Sequence, residues 1–142
     1  MGAFIGFIDL SNDPTGSGRY WRVDSDLTYL TDIGERITVW AGATTDGASV
    51  PWWADGLFPR LVDPRIAAAA LIHDQLYETQ GAGHFTRAEC DGIFREALLT
   101  AGVAPWRAWV MWAAVRIGGG SGWNAHTPES VAYQMGYIEV SA

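Results

Sequence analysis

An α+β domain, with a small N-terminal antiparallel β-sheet packed against a C-terminal layer of three helices, is what this sequence predicts. Two patterns and a break carry that expectation. Residues 1–45 hold short β-rich runs separated by turn-forming clusters, and residues 63–118 hold runs at helical spacing with recognisable starts and stops. A polar, tryptophan-bearing loop, 46–62, divides them, and a tail, 119–142, follows. The chain of 142 residues is long enough for one ordinary core, so we read it as a single domain, 1–142.

The strands come first: FIGFIDL, RYWRVD, LTYL and ERITVW, with SNDPTGSG and TDIG supplying turn residues between them. In ERITVWAG, Ile37 and Val39 alternate with Arg36, Thr38 and Trp40, the period of a strand with one buried face. The loop TTDGASVPWWADGLFP is rich in Gly, Asp and Pro. Its Asp46 and Ser49 suit a turn cap. Its adjacent Trp52 and Trp53 suit either packing beneath the loop or a platform for sugar or lipid.

The first helix opens with Asp63 as N-cap and Pro64 at the first helical position, and runs through IAAAALIHDQLYETQ to a GAG stop. In the second, Thr86 is the N-cap with Glu89 three residues on, a capping box, and the helix runs to Ala101 before Gly102. A third starts near Pro105 and ends at the glycines from Gly118 to Gly120. Its run PWRAWVMWAAVRI is apolar nearly all round, which predicts a core helix, the hub against which the other two pack. The tail predicts a short helix after Thr127 and Pro128, then a strand in YIEV.

Composition narrows the function classes. Apolar residues make up 49% and charged ones 18%, which excludes a disordered chain, and no apolar run reaches the roughly 20 residues of a membrane-spanning helix. All nine basic residues are arginine, and sixteen carboxylates bring the net charge to −7. Such a surface repels phosphate backbones, so nucleic acid is not expected as a partner. The single Cys90 has no disulfide partner in the chain and is expected to pack as a small apolar residue. MGAFIGFIDL is apolar but has no positive n-region and is interrupted by Asp9, so no signal peptide is expected.

Candidate chemistry centres on His73 and Asp74 in AALIHDQLY, two ionisable groups in a helix otherwise composed for burial. Ile66, Ala70, His73 and Tyr77 share a face at helical spacing, with Asp74 roughly 100° around from His73. In the next helix Asp91 lines up with Phe94, Leu98 and Ala101. Three readings stand. His73 is a general base oriented by Asp91, with Asp74 holding a metal or positioning water. Or His73, Asp74 and Asp91 are joint ligands of one divalent ion, zinc or calcium, with Asp46 as a further candidate ligand. Or the network is structural, Asp91 pairing with Arg87, Arg95 or Arg116 while His73 bonds a backbone carbonyl. Ser49 is a candidate nucleophile activated by His73, although no GxSxG elbow surrounds it. His84 and His126 lie in polar or glycine-rich loops and are expected to be solvated.

Four segments in order, TDGASVP, ALIHDQLY, TRAECDGIFREAL and WRAWVMWAAVRIGG, resemble the small bacteriophage and prophage proteins known as DUF1353. The likeness runs from about the RYW segment to Trp123, and the family pattern includes the positions held here by Asp46, Ser49, His73, Asp74, Tyr77, Arg87 and Asp91. It implies viral origin more than chemistry. The expected setting is a phage virion or infected bacterial cell, with phage structural proteins as partners and the host envelope as a target. HDQLY is also similar to the His-Asp-x-x-Tyr helix of secreted phospholipases A2, in which the His is a general base and the Asp binds calcium. This chain lacks their flanking cysteines and glycine-rich calcium loop. Two functions follow as expectations: a virion component of the tail or tail tip, in which the centre is either a hydrolase-like site or a polar lock, and a non-structural hydrolase of peptidoglycan or lipid acting at lysis.

Overall fold

The computed structural model describes residues 2–12, 21–45 and 64–142. Strands β1 (Ala3–Ile5), β2 (Leu10–Asn12), β3 (Trp21–Val23), β4 (Leu27–Leu30), β5 (Arg36–Val39) and β6 (Thr44–Thr45) precede helices α1 (Pro64–Glu78), α2 (Arg87–Thr100), α3 (Pro105–Gly118), α4 (Gly120–Asn124) and α5 (Pro128–Met135), and β7 (Ile138–Ser141) ends the order. The α+β class holds, but the sheet expected as one unit is two. One is antiparallel in the order β1-β4-β5-β7, and the other pairs β2-β3-β6.

Gly6 explains the division. FIGFIDL reads as one strand, yet Gly6 has φ +92 and a Cβ there would stand 2.6 Å from the Asp26 carbonyl oxygen. Only a residue without a side chain fits so close an approach at positive φ. The chain turns there, sending β1 to β4 and β2 to β3. In β5, Arg36 is exposed and Ile37 and Val39 are buried as the alternation predicts, with Trp40 exposed just past the strand, but Thr38 is buried too. Its hydroxyl meets that of Thr28 across the β4–β5 ladder at 2.8 Å, satisfying both groups away from water. The tail strand β7 lies beside β5, Ile37 opposite Val140, so the C-terminal segment completes the N-terminal sheet.

Tyr29, Ile37 and Val39 from this sheet share one apolar core with Ile66, Ile72 and Leu76 of α1 and Phe94 and Leu98 of α2. Helix α2 begins as its sequence predicts: the Thr86 side chain accepts from the Glu89 backbone N–H while the Glu89 carboxylate accepts from the Thr86 N–H. The hub is α2, not α3. It packs on α1 from one side and α3 from the other. Helix α3 buries Ala108, Met111, Ala114 and Val115 and leaves Trp106, Trp109 and Ile117 exposed, so its even apolar character hid an outer position. Glycines 118–120 end α3 but do not end helical structure, since α4 follows at once. Thr127 caps α5 in a second capping box, with Ser130. No helix among the described residues is long and apolar enough to cross a membrane.

Candidate functional site

Asp91, in the first turns of α2, faces the junction of three helices and is completely buried, at 0% exposure. From α1, His73 Nε2 lies 2.8 Å from Oδ1 and the Tyr77 hydroxyl donates to the same oxygen at 2.7 Å. From α3, Arg116 Nη1 donates to Oδ2 at 2.8 Å. Arg87, one turn before Asp91 on its own helix, stands 3.7 Å from Oδ2. Residues four apart on a helix are neighbours, which places this guanidinium without further help from the fold.

Arg87 joins the elements a second way. Its Nη1 also reaches the Tyr77 hydroxyl at 3.3 Å and the Val115 carbonyl at 3.2 Å, and Nη2 reaches the Arg116 carbonyl at 3.2 Å. Arg87 therefore ties the last turn of α3 to Asp91, sharing the Val115 carbonyl with the Gly119 N–H and donating to that of Arg116. Aromatic contacts close the centre. The His73 ring lies 4.3 Å from that of Tyr77 and 4.6 Å from that of Phe94, and Trp123 of α4 meets Tyr77 edge-on at 5.3 Å. Gly119 lets α4 come this near, since a Cβ there would fall 2.7 Å from the Tyr77 hydroxyl.

Burial alone would raise the Asp91 carboxyl, but hydrogen bonds from His73 and Tyr77, with Arg116 beyond them, outweigh it and hold the group below its ordinary value. Asp91 is therefore a carboxylate that only accepts. His73 must donate through Nε2, which leaves Nδ1 as the basic nitrogen in the neutral ring. Burial, and then the bond to Asp91, keep the Tyr77 hydroxyl protonated well above the usual tyrosine range. Cys90, next in sequence, is pushed up to about 12, first by burial and then by the Asp91 charge. It is an inert thiol.

The structure thus joins His73 and Asp91, as the general-base reading requires, and adds Arg87 and Arg116, as the structural reading requires, although His73 Nε2 meets Asp91 and not the backbone carbonyl which that reading gave the ring. Arg95 instead lies over the Trp112 ring at 5.8 Å. Asp74 is buried on α1. Among the described residues no group of three His, Cys, Asp or Glu side chains could hold a metal ion. Asp91 already meets three donors, and two arginines supply its countercharge; a zinc or calcium ion would have to displace them, so the described donor set does not fit the metal reading. Asp46, Ser49, Trp52, Trp53 and Asp63 lie outside the described residues. His84 is half exposed but pairs with Glu35 at 2.6 Å. Sequence reasoning placed Tyr77 on the right face but missed its bond to Asp91, and gave Trp123 and Gly119 no part in the site. Spacing of four from His73 was the available signal for Tyr77.

With these positions established, comparison with known proteins gives one positive result. No curated protein and no solved structure matches the chain. A family model described as "Protein of unknown function (DUF1353)" matches residues 21–115, which include His73, Tyr77, Arg87 and Asp91. That span is more than half of the chain, and the protein belongs to the DUF1353 family.

Proposed function

We propose that this protein is a structural component of a bacteriophage particle, at the tail or tail tip, and that its His73–Asp91 centre is a polar lock that fixes three helices. One observation carries the lock. His73, Tyr77 and Asp91 are 1%, 1% and 0% exposed, and the carboxylate meets donors from α1 and α3 together with the flanking Arg87. A general base must come within hydrogen-bond reach of the proton it takes, and among the described residues the His73 ring is packed against Tyr77 and Phe94 and is nearly inaccessible. The phage setting rests on the likeness of the four ordered motifs to phage and prophage proteins. Mass spectrometry of purified virions from a phage encoding this chain tests it. The protein is expected at stoichiometric level in the particle, and its restriction to the infected-cell lysate would refute the assignment.

A second reading, an envelope hydrolase, is favoured by the 2.8 Å bond between His73 and Asp91, the arrangement that prepares an imidazole for proton transfer. It predicts that the chain digests purified peptidoglycan or releases fatty acid from phospholipid vesicles. It also predicts that His73→Ala and Asp91→Asn abolish this activity while remaining folded. Wild-type protein inactive on both substrates removes that reading.

A further inference from the structure

From the outer face of α3 we infer that the protein self-associates, two copies packing this helix antiparallel about a two-fold axis. Trp106, Trp109 and Ile117 are 71%, 52% and 80% exposed. With half-buried Val110 and Ala113 they fall within an arc of roughly 100° on the helix, a continuous apolar stripe. The side turned to the protein carries smaller groups, Ala108, Ala114 and Val115, with Met111. Two of the three tryptophans of α3, with Ile117, therefore face outward, the reverse of an ordinary surface helix.

Charge selects a second copy as the occupant. The chain carries −7, yet all sixteen of its carboxylates lie outside residues 97–128, the segment that contains α3. The only charged side chains of that segment are Arg107 and Arg116, so it adds no carboxylate-to-carboxylate repulsion when two copies of this −7 chain meet through it. The stripe is also self-complementary. In an antiparallel pair centred between Met111 and Trp112, Trp106 of each copy lies level with Ile117 of the other, and the small pair Val110 and Ala113 meet at the middle, where the helices approach most closely. The two Arg107 side chains then stand about 13 Å apart along the axis, beyond the screening length of about 8 Å in physiological salt. Arg116 is already committed to Asp91.

Size sets the strength. The exposed parts of Trp106, Trp109 and Ile117 amount to roughly 400 Å² per copy on usual side-chain areas. Pairing buries about 800 Å² from these residues alone, and the helix flanks bring the total toward the low end of specific interfaces, about 1,200 Å². A reversible, concentration-dependent dimer follows, not an obligate one.

Sedimentation equilibrium of the full chain over a wide concentration range tests this, with Trp106→Gln, Ile117→Glu and, as a control, Ile33→Glu at an equally exposed position away from α3. The wild type is expected to show a monomer–dimer equilibrium. Each α3 variant should weaken it by at least about tenfold with an unchanged far-UV spectrum, and Ile33→Glu should leave it intact. A wild type that stays monomeric throughout overturns the inference. So does a control as damaging as Ile117→Glu, which would mark nonspecific association. A monomeric wild type that instead cosediments with phosphatidylcholine–phosphatidylglycerol vesicles overturns it in favour of a lipid surface.

Discussion

Truncating Asp91 to alanine separates the lock from its alternatives. The substitution removes the acceptor for two donors, His73 Nε2–H and the Tyr77 hydroxyl, each on a residue 1% exposed. Arg87 cannot replace it for Tyr77, because a guanidinium only donates. A buried donor left without a partner costs about 1–3 kcal/mol, giving about 2–6 kcal/mol for the pair. The two arginines add little, since their side chains are 25% and 32% exposed and turn to water. The expected loss is therefore about 3–5 kcal/mol, the usual range for breaking a buried ion pair by removing one partner. Urea denaturation followed by tryptophan fluorescence and far-UV circular dichroism measures it, provided the slope with urea is unchanged. The triple variant His73→Phe, Tyr77→Phe, Asp91→Leu removes the two buried donors and their acceptor together and should recover most of that loss, because apolar groups of similar shape leave neither donor unpaired and the part-exposed arginines are reached by water. A loss below about 1 kcal/mol in Asp91→Ala would refute the reasoning.

The other predictions concern the same junction and its surroundings. Because Asp91 in the folded protein titrates below its ordinary value of 3.8, its contribution is present above that value and fades as pH falls through the lower, folded one. The stability difference between wild type and Asp91→Asn should thus be constant near neutrality and shrink below pH 3.8, as measured by urea titration at each pH. Gly119→Ala should cost about 1–3 kcal/mol, because its Cβ would stand 2.4 Å from the Val115 carbonyl oxygen and 2.7 Å from the Tyr77 hydroxyl, while Gly120→Ala, with open space around its Cβ, should be close to neutral in the same assay. Cys90 should react with a thiol reagent only at the rate of unfolding, since burial keeps it protonated.

Local chemistry was legible in the sequence wherever it decided the outcome locally. The Thr86–Glu89 capping box needs only a side chain meeting a backbone three residues away, and it formed as read. Long-range packing was not. Gly6 inside FIGFIDL is compatible with a bulge or a turn, and the nearby Asp26 carbonyl oxygen that leaves no room for a Cβ comes from twenty residues further on. Helix α3 offered no face to read because both of its sides are apolar, and only the sizes of its residues distinguish inner from outer. Within the site, the apolar face around Asp91 marked it for burial, and the face of His73 directed it to the same interior. The choice of arginine was beyond the sequence. Arg87 and Arg95 both stand four residues from Asp91, yet Arg116, from a different helix, makes the shortest bond.

That last bond bears on how the proposed lock differs from a catalytic histidine–aspartate pair. A carboxylate that orients a catalytic imidazole has one main duty, and the far nitrogen of the ring must meet the substrate. Asp91 divides its two oxygens among His73, Tyr77 and Arg116, so its negative charge is balanced by arginine whatever the ring does. Arg87 then carries the connection onward to the carbonyls that end α3. Each donor comes from a helix that would otherwise meet its neighbours through smooth apolar contacts, which tolerate sliding. A buried charge cannot slide without leaving a donor or acceptor unpaired, so one carboxylate sets the register of α1, α2 and α3 together. On the proposed lock, Asp91 serves through what it positions. The outer stripe of α3 is among the things positioned, since the same arginines hold the end of the helix that carries Ile117.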